Sequence, residues 1–189
     1  MDEQSESLIQ LLRENKIKLD FEFGLNDLWS KEDLVDRVVG IVIPKLEKES
    51  YLLSSADYCG SESDFAIIIP VMSSREIGAI PLGISLAKKY GAILALWKEI
   101  ADYKWVESDI TYSKVLKDKS IVLLEDVCRN NFIFERVSTV LEKKGMSPNI
   151  REHWIFIDSR ETTKADNQSC ISVDNTEPHE IIFLQKTDL

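Results

Sequence analysis

The chain has 189 residues, 44% of them hydrophobic, enough for one substantial domain with or without small additions. Its formal net charge of −10 argues against non-specific nucleic-acid binding, which depends on Lys and Arg neutralising phosphates. No apolar run approaches the roughly 20 residues needed to cross a bilayer, and nothing at the start reads as a leader, so a soluble, cytoplasmic protein with no membrane partner is expected.

Ser5 to Lys16 reads as an amphipathic helix with Leu8, Leu11 and Leu12 on one face and serines available as caps. Between Ile17 and Leu28 apolar and polar residues alternate, as in a short half-buried strand or an ordered turn. A second helix is expected from a Ser30 cap, with Leu34, Val35, Val38, Val39 and Val42 as its stripe and a kink or end near Ile43, ahead of Pro44. Residues 51–64 read as a connection. Phe65 to Met72 reads as a buried strand, 73–78 as a loop, and Ile80 to Tyr90 as a helix ended by Gly91. Strands follow at Ala92 to Trp97 and Ser120 to Leu124, separated by a charged loop or hairpin. A helix from Ile133 to Lys144, a strand from Trp154 to Ile157 and a short last strand or docking tail from Ile181 to Leu184 complete the series.

Strands alternating with helices imply a mainly parallel α/β sheet with right-handed crossovers. Ligands of such sheets bind beyond the carboxyl ends of the strands, near a switch point. Three loops should converge there: 73–78, 97–102 and 125–131.

The most informative stretch is Ile121-Val-Leu-Leu-Glu-Asp-Val-Cys-Arg-Asn-Asn-Phe132. Four apolar residues lead into two carboxylates, and a polar turn precedes the next helix. If the chain turns at Glu125 and Asp126, both carboxylates reach the rim, where they could accept hydrogen bonds from two ribose hydroxyls or hold Mg²⁺ through water. Equally, they could be ordinary acids after a strand, one of them capping the helix. Cys128, Arg129, Asn130 and Asn131 lie where a helix N-terminus presents backbone N–H groups to an anion, though Asn-Asn is also common turn composition.

Cys59, Cys128 and Cys170 are widely spaced and read as free thiols in a reducing compartment, with Cys128 a packed residue more readily than a reactive one. His153 and His179 belong to no metal-spacing motif, and no metal ligands are assigned.

Apolar strand, acidic pair, turn and helix together resemble the PRPP-binding signature of the type I phosphoribosyltransferases, and the orotate phosphoribosyltransferase branch in particular. Leu8-Ile-Gln-Leu-Leu-Arg-Glu-Asn15 resembles that branch's opening helix. Met72-Ser-Ser-Arg-Glu-Ile-Gly-Ala-Ile-Pro-Leu-Gly83 resembles its pyrophosphate loop, and Lys98-Glu-Ile-Ala-Asp-Tyr103 the start of its catalytic loop. The resemblance runs in order from about residue 8 to residue 160. It implies that residues 1–50 are N-terminal helices and a small hood, 51–160 the α/β core and 161–189 a tail. It also implies Glu125 and Asp126 at the ribose of PRPP, and Cys128, Arg129, Asn130 and Asn131 at its 5′-phosphate. Ser73, Ser74, Arg75 and Gly78 would face the pyrophosphate, with Mg²⁺ and Lys98 beside it. Asp126 and Lys98 would be the catalytic groups and the assembly a homodimer.

The sequence also departs from that pattern. Arg129, Asn130, Asn131 and Phe132 stand where the family places threonines and glycines, which removes hydroxyl donors and close backbone approach. Ala101 stands where the orotate branch has a second catalytic lysine, with Lys104 nearby. Residues 21–29 are acidic, which disfavours an anionic base; a neutral base stacked on Phe23 or Trp29 is the alternative to plain core packing of those rings. Two functions are therefore expected to compete. One is a divergent phosphoribosyltransferase using PRPP or a nucleotide. The other is a non-catalytic nucleotide or PRPP sensor, regulatory or structural partner.

Overall fold

The computed structural model describes residues 2–18, 25–54, 65–71, 78–98, 109–110, 116–144, 150–160 and 178–188. Helix α1 (Glu3–Glu14) starts at Asp2, whose carboxylate accepts from the Ser5 N–H at 2.7 Å, so an aspartate rather than a serine provides the cap. Helix α2 (Asn26–Trp29) is a single turn closed by Ser30. Helix α3 (Glu32–Glu49) therefore begins one residue later than the serine suggests, and it runs through Pro44 instead of ending there. Pro44 leaves the Gly40 carbonyl without its helical donor. Both residues are exposed, so water can serve that carbonyl, while Val42 and Leu46 are fully buried on the opposite side.

A one-turn helix α4 (Tyr51–Ser54) precedes strand β1 (Phe65–Val71). Helix α5 (Ile80–Tyr90) ends as the sequence indicates, at Gly91 in the left-handed region with φ 65°. Gly83 on this helix sits against Ile69, where a Cβ would collide, so its lack of a side chain lets α5 lie close on the sheet. Strand β2 (Ile93–Lys98) pairs with the short β3 (Asp109–Ile110) in an antiparallel hairpin. Strand β4 (Ser120–Cys128), helix α6 (Phe132–Lys143), β5 (Ile150–Asp158), β6 (His179–Gln185) and a terminal 3₁₀ turn complete the chain.

The strand order is β3-β2-β1-β4-β5-β6, and all neighbours except β2 and β3 are parallel. From β1 the chain moves to β2 on one side, and β4 then pairs on the other. The switch point lies between β1 and β4. The two crossover helices accordingly fall on opposite faces, as crossovers of one hand require.

On one face Leu8, Leu28, Val38, Leu46 and Leu82 pack with Ile67, Ile69, Trp154, Phe156 and Phe183. The first fifty residues thus share the core of the sheet through α1 and α3. On the other face Val137, Val140 and Leu141 of α6 pack with Ala66, Ile68, Trp97 and Leu123. Burying each large aliphatic contributes about 1.5–3 kcal/mol. The central strand β4, covered on both sides, must read as a continuous apolar run, which is why Ile121 to Leu124 stands out in the sequence.

Two polar residues, Ser50 and Glu152, are fully enclosed at the joint between α3 and the sheet. The Glu152 carboxylate accepts from the Ser50 hydroxyl at 2.8 and 3.0 Å, from the Leu52 N–H at 3.1 Å and from Trp154 Nε1 at 2.7 Å. Satisfying the carboxylate with donors from the α3 cap, α4 and β5 fixes the end of α3 on β5.

Candidate functional site

Val71, Lys98, Cys128 and Asp158 end β1, β2, β4 and β5 on one edge of the parallel sheet, so the loops expected to converge leave from a common side. Lys98 is exposed and pairs through its backbone with Val71 and Asp109. Gly78, at the far end of the expected pyrophosphate loop, has φ 56°, a conformation that favours glycine. Ser73, Ser74 and Arg75 lie outside the described residues, as do Phe23, Ala101, Tyr103 and Lys104.

The acidic pair does not sit where the sequence suggests. Strand β4 continues past it to Cys128, so Glu125 and Asp126 belong to the strand, and neither reaches the rim. Glu125 is 2% exposed and Asp126 9%. As strand neighbours their side chains leave on opposite faces. Glu125 points to the α6 face, where its Oε2 lies 2.6 Å from His153 Nε2. The imidazole in turn stacks on Phe134 of α6, with ring centroids 6.1 Å apart.

Asp126 turns to the N-terminal side of the sheet. Its Oδ1 accepts from the Val127 N–H at 2.8 Å, and its Oδ2 has no partner among the described residues. Burial pushes the Asp126 carboxyl above its ordinary range, and repulsion from Glu125 adds to this. The N–H groups of Val127 and Leu25 pull the other way without cancelling it.

Cys128 is fully buried, and its thiol lies 3.5 Å from the Asn130 carbonyl. Burial first, and then the Glu125 charge, raise the thiol well above its usual value. It is a packed thiol rather than a nucleophile. In the following turn Arg129, Asn130 and Asn131 are exposed. The Phe132 N–H donates to the exposed Asn130 Oδ1 at 3.0 Å. Asn131 caps α6 by position only, with no side-chain hydrogen bond to the helix N–H groups. The Phe132 ring stands 45% exposed with the Arg136 guanidinium 4.7 Å above it.

Sequence reasoning missed the residues that organise this region. Arg160 holds Asp158 through Nε to Oδ1 at 2.9 Å and Nη2 to Oδ2 at 2.8 Å, and Glu180 through Nη1 at 2.7 Å and Nη2 at 2.8 Å. Its Nη1 also donates to Asn131 Oδ1 at 3.0 Å, tying the turn after β4 to β5 and β6. The hydrogen bonds that Arg160 donates to Glu180 and Asp158 raise its pKa further. Burial alone would raise Asp158, but the Arg160 side chain and backbone N–H hold its carboxyl below the ordinary range. Nothing near Glu125 in sequence announces His153 or Arg160, because the contacts arise from the β4–β5 register, with Leu123 opposite His153.

The architecture is that of the type I phosphoribosyltransferases. It is similar to the crystal structure of orotate phosphoribosyltransferase from Aeropyrum pernix, with a TM-score of 0.57, 11% identity, and 95% of this chain and 94% of that chain covered. It is also similar to orotate phosphoribosyltransferase from Mycobacterium tuberculosis H37Rv in complex with inorganic phosphate, with a TM-score of 0.51, 12% identity, and coverage of 100% and 91%. The adenine phosphoribosyltransferase from Giardia lamblia complexed with 9-deazaadenine gives a TM-score of 0.51, 13% identity, and coverage of 86% and 84%. At these identities the likeness establishes a type I phosphoribosyltransferase-like fold. No protein-family model matches the chain, and no curated protein matches it. No helix among the described residues is long and apolar enough to cross a membrane.

Proposed function

We propose that this chain is a non-catalytic protein on the phosphoribosyltransferase fold, acting as a regulatory or structural partner. The observation that carries this reading is the division of the acidic pair between the two faces of the sheet. Glu125 is committed to a buried histidine and Asp126 faces the N-terminal helices. Two carboxylates that grip adjacent ribose hydroxyls must point into one solvent-accessible cleft, and these two point apart inside the core. The pair also does not fit the Mg²⁺ of a PRPP complex. That ion keeps several waters, and side chains this enclosed leave no room for such a shell.

Binding of PRPP or a nucleotide, if retained, falls to the exposed Arg129, Asn130 and Asn131 and needs neither carboxylate. Catalysis through Asp126 and Lys98, with Ser73, Ser74, Arg75 and Gly78 at pyrophosphate, is the competing reading. The homodimer that the resemblance implies is part of the proposal, and sedimentation equilibrium of the purified chain decides it.

The functional test is calorimetric titration with Mg²⁺-PRPP, followed by a pyrophosphate-release assay across purine and pyrimidine bases. The expected result is no pyrophosphate release. Millimolar PRPP that gives no heat assigns a structural partner. Heat that survives Glu125→Gln and is lost in Arg129→Ala assigns a sensor. Base-dependent release of pyrophosphate that is lost in Asp126→Asn overturns the proposal.

A further inference from the structure

Strands β4 and β5 bring three different ligand types together in the interior. One possible ligand atom from each of Glu125, Cys128 and His153 lies within 4.8 Å of the other two, and all three residues are buried. Two further observations point to the same place. Glu125 uses only Oε2 on His153; its Oε1 is buried and has no partner among the described residues. Behind the imidazole, Glu180 Oε1 lies 3.8 Å from His153 Nδ1, and Glu180 is itself held by Arg160. A carboxylate behind a histidine, fixed by its own partner, orients an imidazole toward a metal once it accepts from the second ring nitrogen; from 3.8 Å Glu180 must close by under an ångström to do so.

We propose that Glu125, Cys128 and His153 form a binding site for a zinc-class transition-metal ion. A thiolate, an imidazole and one carboxylate suit Zn²⁺ and disfavour Mg²⁺ and Ca²⁺, which want oxygen ligands only. The charges also match. A divalent ion with one thiolate, one carboxylate and a neutral imidazole sums to zero, which a buried site tolerates. Ligand-to-ligand distances in a tetrahedral zinc site are about 3.3–3.6 Å, given bond lengths of about 2.0–2.3 Å. The 2.6 Å contact between His153 and Glu125 must therefore open by somewhat less than an ångström, while the other spacings, all within 4.8 Å, settle to the tetrahedral range. Binding releases the thiol proton to solvent, and the neutral imidazole carries its N–H on Nδ1, on the Glu180 side, so that Nε2 presents its lone pair to the ion. With three protein ligands, a fourth position is left for water or a small ligand. The site lies directly beneath the Arg129–Asn131 turn, so the ion would join β4 and β5 just below the exposed end of the sheet.

The proposal goes beyond the non-catalytic reading and is tested separately from it. Base-dependent pyrophosphate release by the metal-loaded chain would overturn that reading and leave this site standing. The probe is Co²⁺ added to the full chain after chelator treatment and thiol reduction, followed by displacement with Zn²⁺. The expected result is saturation at one equivalent, with a thiolate-to-cobalt charge-transfer band and the intense visible bands of four-coordinate cobalt. Cys128→Ser should abolish the charge-transfer band and weaken zinc binding about 100-fold or more, since losing a ligand costs at least as much as losing its outer partner. Cys59→Ser and Cys170→Ser should keep both. A band that survives in folded Cys128→Ser, or none in the wild type, overturns the site. Should Cys128→Ser fail to fold, X-ray absorption at the zinc edge of the wild type decides, because a coordination shell without one sulfur refutes it.

Discussion

Replacing His153 with alanine removes the only partner that a core carboxylate, Glu125, has among the described residues. Glu125 is 2% exposed and His153 1%, and their contact is 2.6 Å. Taking one partner from a buried pair leaves an uncompensated charge and costs about 3–5 kcal/mol. Loss of the ring stacked on Phe134 adds to this in the same direction. In a domain of this size each kcal/mol lowers Tm by about 2–4 °C, so a drop of about 6–20 °C is expected. The double variant Glu125→Met/His153→Phe removes both polar groups while keeping volume and the stack on Phe134. It should lie within about 1 kcal/mol of the wild type or be more stable, because a well-packed apolar pair often replaces a buried ionic one at no loss. The assay is urea unfolding at pH 7 with chelator present, so that the pair alone is read, followed by the fluorescence of buried Trp97 and Trp154. If His153→Ala costs under about 1 kcal/mol, Glu125 has solvent or another partner available, and the interior role argued for it is wrong.

Asp126→Asn should stabilise the protein at neutral pH. The folded carboxyl titrates above its unfolded value of 3.8, so its contribution is fully present below about that pH and is lost as pH rises through the folded value. An amide has no charge to desolvate, so the gap between variant and wild type should be open at pH 7 and close towards pH 4; paired urea titrations at the two pH values check it, and a variant less stable at pH 7 contradicts the assignment. Glu152→Ala leaves three donors, from Ser50, Leu52 and Trp154, without their acceptor. At about 1–3 kcal/mol for each group left unsatisfied, a loss of about 3 kcal/mol or more is expected. Glu152→Gln should recover part of it, and equal stability of alanine and wild type in chemical unfolding would refute the network.

Local signals in the chain were strong wherever one element decides its own form. Gly91 stops α5 because a left-handed residue must follow that helix, and the apolar run from Ile121 marks a strand covered on both faces. Pro44 misleads because a proline is judged by the hydrogen bond it removes. Whether that loss matters depends on exposure, and here the proline and the carbonyl it deprives both face water. The alternation of strands and helices already implied a parallel sheet with a switch point, since parallel strands need crossovers and crossovers have one hand.

The candidate site divides along the same line. Amino-acid order supplies Glu125, Asp126 and Cys128 in one stretch and a resemblance to a ribose-binding pair. It does not say how far β4 runs before the chain turns, because Glu, Asp, Val and Cys can continue a strand or end it. Pairing with β5 decides that: the ladder extends to Cys128 opposite Asp158 and carries the pair into the interior. His153 is 28 positions beyond Glu125 and Arg160 29 beyond Asn131, so their contacts exist only once the strand register is set. The sequence alone therefore determines which elements form and which acids lie near the edge of the sheet, because those follow from local patterning. Only the tertiary structure decides which way those acids face and what they bind, because direction and partner follow from pairing between distant strands.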